Sequence, residues 1–221
     1  MDKKPDNRNY LYDKRSTTNR VEFLAIEKIV GENKKIIDLG CGDGSLMQIL
    51  AKNGNECQGV EVSESGVEVC KNKGLKVIRG MIDTRLPYKD KNFDMAICNV
   101  TIHMTMYPEV LFKEMLRISK KQIITFPNFA FVLNRLQVLF LGVFPQWSLF
   151  GYKWYSTGHI HQLSVKDFEQ FCKQNHIKVV GRYHLFPKPI RNSLQKLPII
   201  GVLLEKMSNL LATMAIFVTK S

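Results

Sequence analysis

Three glycines stand within five positions, at Gly40, Gly42 and Gly44, in the stretch IIDLGCGDGSL. The acid Asp38 precedes them and a second acid, Asp43, falls inside the turn. A turn this rich in glycine lets backbone approach a ligand closely. The dinucleotide fingerprint spaces its glycines G-x-G-x-x-G and rests a pyrophosphate on the helix that follows. Here the spacing is G-x-G-x-G, and carboxylates beside a pyrophosphate would repel it.

Those carboxylates suit a nucleoside cofactor that carries positive charge. S-adenosylmethionine, with an ammonium and a sulfonium, matches. Asp38 is expected to meet its amino acid end, directly or through the loop, and Gly40, Cys41, Gly42 and Gly44 are expected to line it. Cys41 itself reads as a small packed side chain rather than a nucleophile. Glu61 follows Gly40 by 21 residues, at the end of the next apolar run. A carboxylate there can accept both ribose hydroxyls.

Methyl transfer from a sulfonium is a displacement, and holding donor and acceptor in line supplies much of its rate. An oxygen or nitrogen acceptor can also need a base. His103, just past an apolar run at the expected cofactor edge, is one candidate, because imidazole titrates near neutral pH. The other reading of His103 is a residue outside the reacting centre. Tyr152, Trp154 and Tyr155 form an aromatic cluster, read either as packing or as a wall over a cation. Asp94 is expected to brace a loop.

The elements that must position these residues alternate along the chain. Residues 18–31 carry a helical stripe closed by Gly31. KKIIDLG, ECQGVEVS, LKVIRG, FDMAICNV and KQIITFPN read as strands, with SLMQILAKNG, ESGVEVCKNKG and YPEVLFKEMLRISK as helices between them. Such alternation implies a parallel sheet with helices on both faces and a ligand beyond the strands' carboxyl ends. After residue 128 the rhythm breaks. FAFVLNRLQVLFLGVFPQW is apolar but carries Asn134, Arg135 and Gln137, which suits an inserted amphipathic lid helix rather than a bilayer span. VKDFEQFCKQNH reads as a helix, IKVVGRYHLF and ATMAIFVTK as strands, and LPIIGVLLEKMSN as a cover for the sheet or a membrane contact.

Composition narrows the class. The 221 residues are 45% hydrophobic and 24% charged, enough for a packed core and too apolar for a disordered chain. Five scattered cysteines with no C-x-x-C pair give neither a zinc site nor a disulfide frame, and no metal site is expected. The polar N-terminus has no apolar signal region, so a cytoplasmic location is expected. Of the net charge of +12, residues 101–221 hold +10, from fifteen basic and five acidic side chains. Those cations are dispersed, which reads as a solvated basic surface. CNVT stands where an NPPY-type tetrapeptide would serve nucleic-acid amino methylation, so no nucleic-acid substrate is expected.

IIDLGCGDG resembles motif I of class I S-adenosylmethionine-dependent methyltransferases. FDMAICNVTIHMTMYPEVLFKEMLRI, IITFPNFAFVLNRLQVLFLG and YKWYSTGHIHQLSVKDFEQFC are similar to successive blocks of the methionine biosynthesis protein MetW family. The resemblance runs from about residue 34 to 181, and the W-Y-x-T…I-H block is its most specific part. It implies an α/β, Rossmann-like class I methyltransferase fold in one domain, residues 1–221. That fold would hold a mostly parallel seven-stranded sheet with helices on both faces, a helical extension over 1–33 and a lid over 129–163. It implies S-adenosylmethionine as cofactor and a small-molecule acceptor linked to methionine synthesis. A non-catalytic alternative is a cofactor-binding partner of a homoserine O-acyltransferase. Asn99 takes the position expected near the transferred methyl. His161, inside the specific block, is a candidate catalytic residue or a hydrogen-bonded structural one, and His159 beside it is expected to face solvent. Met81 stands where the family carries an acid near the adenine amino group, so Asp83 is expected to compensate, or packing alone holds the ring.

Overall fold

The computed structural model describes residues 20–145, 158–188 and 204–220. The expected alternation forms. Helix α1 (Val21–Val30) leads to β1 (Lys35–Leu39), α2 (Ser45–Ala51), β2 (Glu56–Glu61), α3 (Glu64–Asn72), β3 (Lys76–Arg79) and β4 (Phe93–Asn99). A single 3-10 turn, Ile102–Met104, precedes α4 (Pro108–Ile118) and β5 (Ser119–Pro127). Then follow α5 (Val132–Leu141), α6 (Val165–Gln174), β6 (Lys178–Leu185), a short α7 (Ser208–Leu211) and β7 (Met214–Lys220).

Seven strands make one sheet in the order β3-β2-β1-β4-β5-β7-β6. The pairs from β3 through β5 are parallel, and β7 runs antiparallel to both β5 and β6. Parallel strands are covered on both faces, so their sequences read as nearly continuous apolar runs rather than alternating ones. Strand β1 shows it, with Ile36, Ile37, Asp38 and Leu39 all buried. Neighbouring side chains still point to opposite faces. Ile36 packs with Phe23 and Ile26 of α1 and Leu46 and Leu50 of α2. Ile37 joins the other layer, where Phe112 of α4 and Phe168 of α6 meet Phe217 of β7. The Phe168 and Phe217 rings lie 4.8 Å apart, within aromatic contact.

Strand order reverses between β1 and β4, and this opens a crevice beyond their carboxyl ends. The long β3–β4 connection is fixed by one buried ion pair. Glu114 Oε1 accepts the Leu86 N–H at 2.7 Å, and Arg117 donates to Glu114, to the carbonyls of Leu86 and Tyr88, and to Asp90. Asp94, expected to brace a loop, instead ties neighbouring strands to β4: it accepts the Lys35 N–H of β1 at 3.0 Å and the Lys120 ammonium of β5 at 2.8 Å.

Candidate functional site

Register places the first acid. Asp38 lies between Gly59 of β2 and Ile97 of β4, at the reversal point and 2% exposed. Its Oδ1 is buried and makes no hydrogen bond. Burial raises its pKa from the ordinary 3.8 to about 7, and the carboxylates of Glu61 and Asp43 add to the rise. A buried acid with one unsatisfied oxygen is an incomplete arrangement, and a cationic group completes it.

The glycine loop is stitched to β2. The N–H groups of Gly40 and Cys41 donate to the Val60 carbonyl at 2.8 and 3.2 Å. Gly42 N–H donates to Glu61 Oε2 at 2.8 Å, and Ser63 N–H to Glu61 Oε1 at 2.8 Å. Each carboxylate oxygen has a second lone pair, so Glu61 is held in one orientation and retains capacity for a diol. Gly40 carries φ +79°, and a Cβ there would stand 2.6 Å from Thr101 Cγ2. The missing side chain lets the segment after β4 close against the loop.

That segment carries Asn99, whose Oδ1 accepts from the Thr125 hydroxyl. The same hydroxyl accepts the Val100 N–H at 2.8 Å. Val100 is held at φ +52°, a left-handed conformation that a β-branched residue adopts only under constraint. His103 follows, fully buried in the 3-10 turn. Its carbonyl accepts the N–H groups of Ile160 at 2.9 Å and His161 at 3.0 Å. The two halves of the site, 57 residues apart for Ile160, are thereby joined.

Several expected residues take other places. Asp83 Oδ2 accepts the N–H groups of Met106 and Tyr107 at 3.0 and 3.1 Å, so this carboxylate braces the approach to α4. Asp43 is tied to Ser45, whose Oγ donates at 2.6 Å, and to the Lys73 ammonium. The Cys41 thiol turns under the loop, where Met47 and Cys70 pack with it. It fills the space that a Cβ at Gly59 would take, 2.6 Å from that position. Its hydrogen bond with Cys70, together with burial, pushes its pKa well up, so it stays a neutral thiol. Its contribution to any ligand is through backbone alone. His161 Nε2 lies 3.4 Å from the Met106 carbonyl. His159 is not solvent-facing: it is half-buried, its ring edge-on to His103 at 4.2 Å and near Phe129 at 5.8 Å. Tyr155, with Tyr152 and Trp154, lies outside the described residues.

The strand order and the crevice define the fold of S-adenosylmethionine-dependent methyltransferases. A methyltransferase from Archaeoglobus fulgidus superposes with a TM-score of 0.64 at 14% identity, covering 91% of this chain and 93% of that one. A possible histamine N-methyltransferase from Thermotoga maritima superposes at 0.60 with 20% identity, covering 90% and 86%. The family model described as "Methionine biosynthesis protein MetW" matches residues 20–218, and the chain belongs to that family. The bifunctional methionine biosynthesis protein MetXA/MetW of Rhodopirellula baltica is 27% identical over 173 residues, 73% of this chain and 28% of that protein. A ubiquinone biosynthesis O-methyltransferase of Coxiella burnetii is 33% identical over 101 residues, 43% of each chain. The chain thus spans less than half the length of these curated relatives.

Proposed function

We propose that this protein is an S-adenosylmethionine-dependent methyltransferase of the MetW type, acting on a small-molecule acceptor linked to methionine synthesis. The observation that carries the reading is the pairing of the unsatisfied, buried Asp38 with the backbone-fixed Glu61 around one left-handed glycine loop. These residues fit the cofactor. Asp38 meets its ammonium, Glu61 accepts the ribose hydroxyls, and Gly40, Cys41, Gly42 and Gly44 line it with backbone. Met81, 43% exposed, offers apolar surface where the family places an acid, so packing holds the base.

When bound, the cofactor supplies an activated methyl group. Asn99 positions the acceptor near it, its amide held through the Thr125 hydroxyl. His103 takes the proton released by an oxygen or nitrogen acceptor, and general-base assistance of this kind is worth roughly 10²–10⁴-fold. His161 pins the loop that carries His159 onto the same turn.

The test is transfer of tritiated methyl from S-adenosylmethionine into fractionated small metabolites, with Glu61→Ala as control. Label in one fraction, lost in the variant, supports the reading. A chain that binds cofactor yet labels no fraction refutes catalysis. The second reading then stands: a cofactor-binding partner of a homoserine O-acyltransferase. It is favoured by the Rhodopirellula relative, which by its name joins MetXA and MetW in one chain. A cofactor-dependent change in acyltransferase rate on adding this protein would support it.

A further inference from the structure

Four residues separate helix α5 from the carboxyl end of β5, the end of the sheet at which the crevice opens. Its first turn is anchored, with Asn134 donating to the Phe129 carbonyl at 3.2 Å and Arg135 to the Ala130 carbonyl at 2.6 Å. Its last four residues are exposed. Val138, Leu139, Phe140 and Leu141 are 50%, 73%, 73% and 68% exposed. Four consecutive helical residues, 100° apart, cover every side of the helix. A helix apolar all round is surrounded by apolar medium rather than laid on one flat partner. An exposed apolar cluster of this kind marks an interaction site.

Charge identifies the medium. No Asp or Glu occurs between Glu114 and Asp167. Arg135 is exposed on α5 itself, and residues 101–221 hold fifteen basic side chains against five acidic ones. The acids that follow this stretch are paired: Asp167 caps α6 through the Ser164 N–H, Glu169 accepts from Arg182 at 3.0 Å, and Glu205 meets His184 Nδ1 at 2.6 Å. An exposed apolar helix end in a stretch that carries cations and no acids has the pattern of a peripheral membrane contact, in which side chains enter the headgroup boundary while cations meet anionic lipid. Among the described residues no helix is long and apolar enough to cross a membrane.

We infer that the C-terminal half of α5 inserts into the surface of an anionic lipid bilayer, placing the acceptor side of the crevice at the membrane. The full chain, without cofactor, is sedimented with vesicles of phosphatidylcholine alone and with 30% phosphatidylglycerol. The expected result is partition onto the anionic vesicles, weakened by salt and reduced at least tenfold in Leu139→Glu and Phe140→Glu. Leu24→Glu, at an equally exposed apolar position on α1, should leave partition unchanged. Circular dichroism confirms that each variant is folded. No partition by the folded chain overturns the inference, as does equal partition of the α5 variants and wild type. Monomerisation of a dimer by the same substitutions, without vesicle binding, assigns the surface to a second copy and also overturns it. Because no cofactor is present, failure here leaves the methyltransferase reading to its own test.

Discussion

Replacing Asp38 by Asn should make the cofactor-free protein more stable and the cofactor weaker to bind. The folded-state pKa of Asp38 is about 7 against an ordinary 3.8, so between those values the folded chain holds a proton that the unfolded chain has released. Stability from this group is therefore fully present below about pH 4, is lost as pH rises from there to about 7, and is flat above. At about 1.36 kcal/mol per pKa unit, ionising the buried carboxyl costs up to about 4 kcal/mol above pH 7. Urea unfolding of wild type and Asp38→Asn at pH 8 should thus show the variant more stable by up to about 4 kcal/mol, and the gap should close toward pH 5. Cofactor binding needs the ionised acid, so wild-type affinity should drop on the order of tenfold between pH 7.5 and 5.5 while the variant binds weakly at both. A variant less stable than wild type at pH 8, or a wild-type affinity flat across that range, would refute the reasoning.

Gly40→Ala should cost about 2–3 kcal/mol in urea unfolding, from a Cβ driven into Thr101 at positive φ, and Thr101→Ala in the same chain should restore part of it. Val100→Asn should gain about 1 kcal/mol, since Asn tolerates the left-handed conformation that strains Val, and a loss would show that no strain is stored there. Glu114→Ala should lower stability by about 3 kcal/mol because it leaves the buried Leu86 N–H without an acceptor and removes the carboxylate paired with Arg117, and Glu114→Gln should recover less than half. His103→Ala should lower methyl transfer about 10²-fold or more with cofactor affinity within threefold of wild type.

The central strands β1 and β4 were legible because they are short apolar runs, and burial on both faces leaves that composition little choice. Asp38, Glu61 and the glycines were legible because their positions follow from where β1 and β2 end. What was not legible depends on partners distant in sequence. Asp83 looks like a free acid beside Met81 until its bonds to Met106 and Tyr107, 23 and 24 positions on, are seen. His159 looks solvent-facing beside His161 until the backbone of Ile160 and His161 docks on His103. Gly59 carries no signal of its own within an apolar strand, although Cys41 occupies the place of its side chain. Residues 129–147 read as an amphipathic lid helix within a lid over 129–163, and α5 forms at Val132–Leu141, but its exposed end follows from where the helix projects rather than from its periodicity.

The chemistry of the site depends on cofactor binding, which calorimetric titration of the folded chain with S-adenosylmethionine at pH 7.5 measures, with Glu61→Ala beside it. One site per chain, lost or weakened at least a hundredfold in the variant, is the predicted result. A folded wild-type chain that releases no binding heat at several temperatures, or binding that Glu61→Ala leaves intact, would contradict the account.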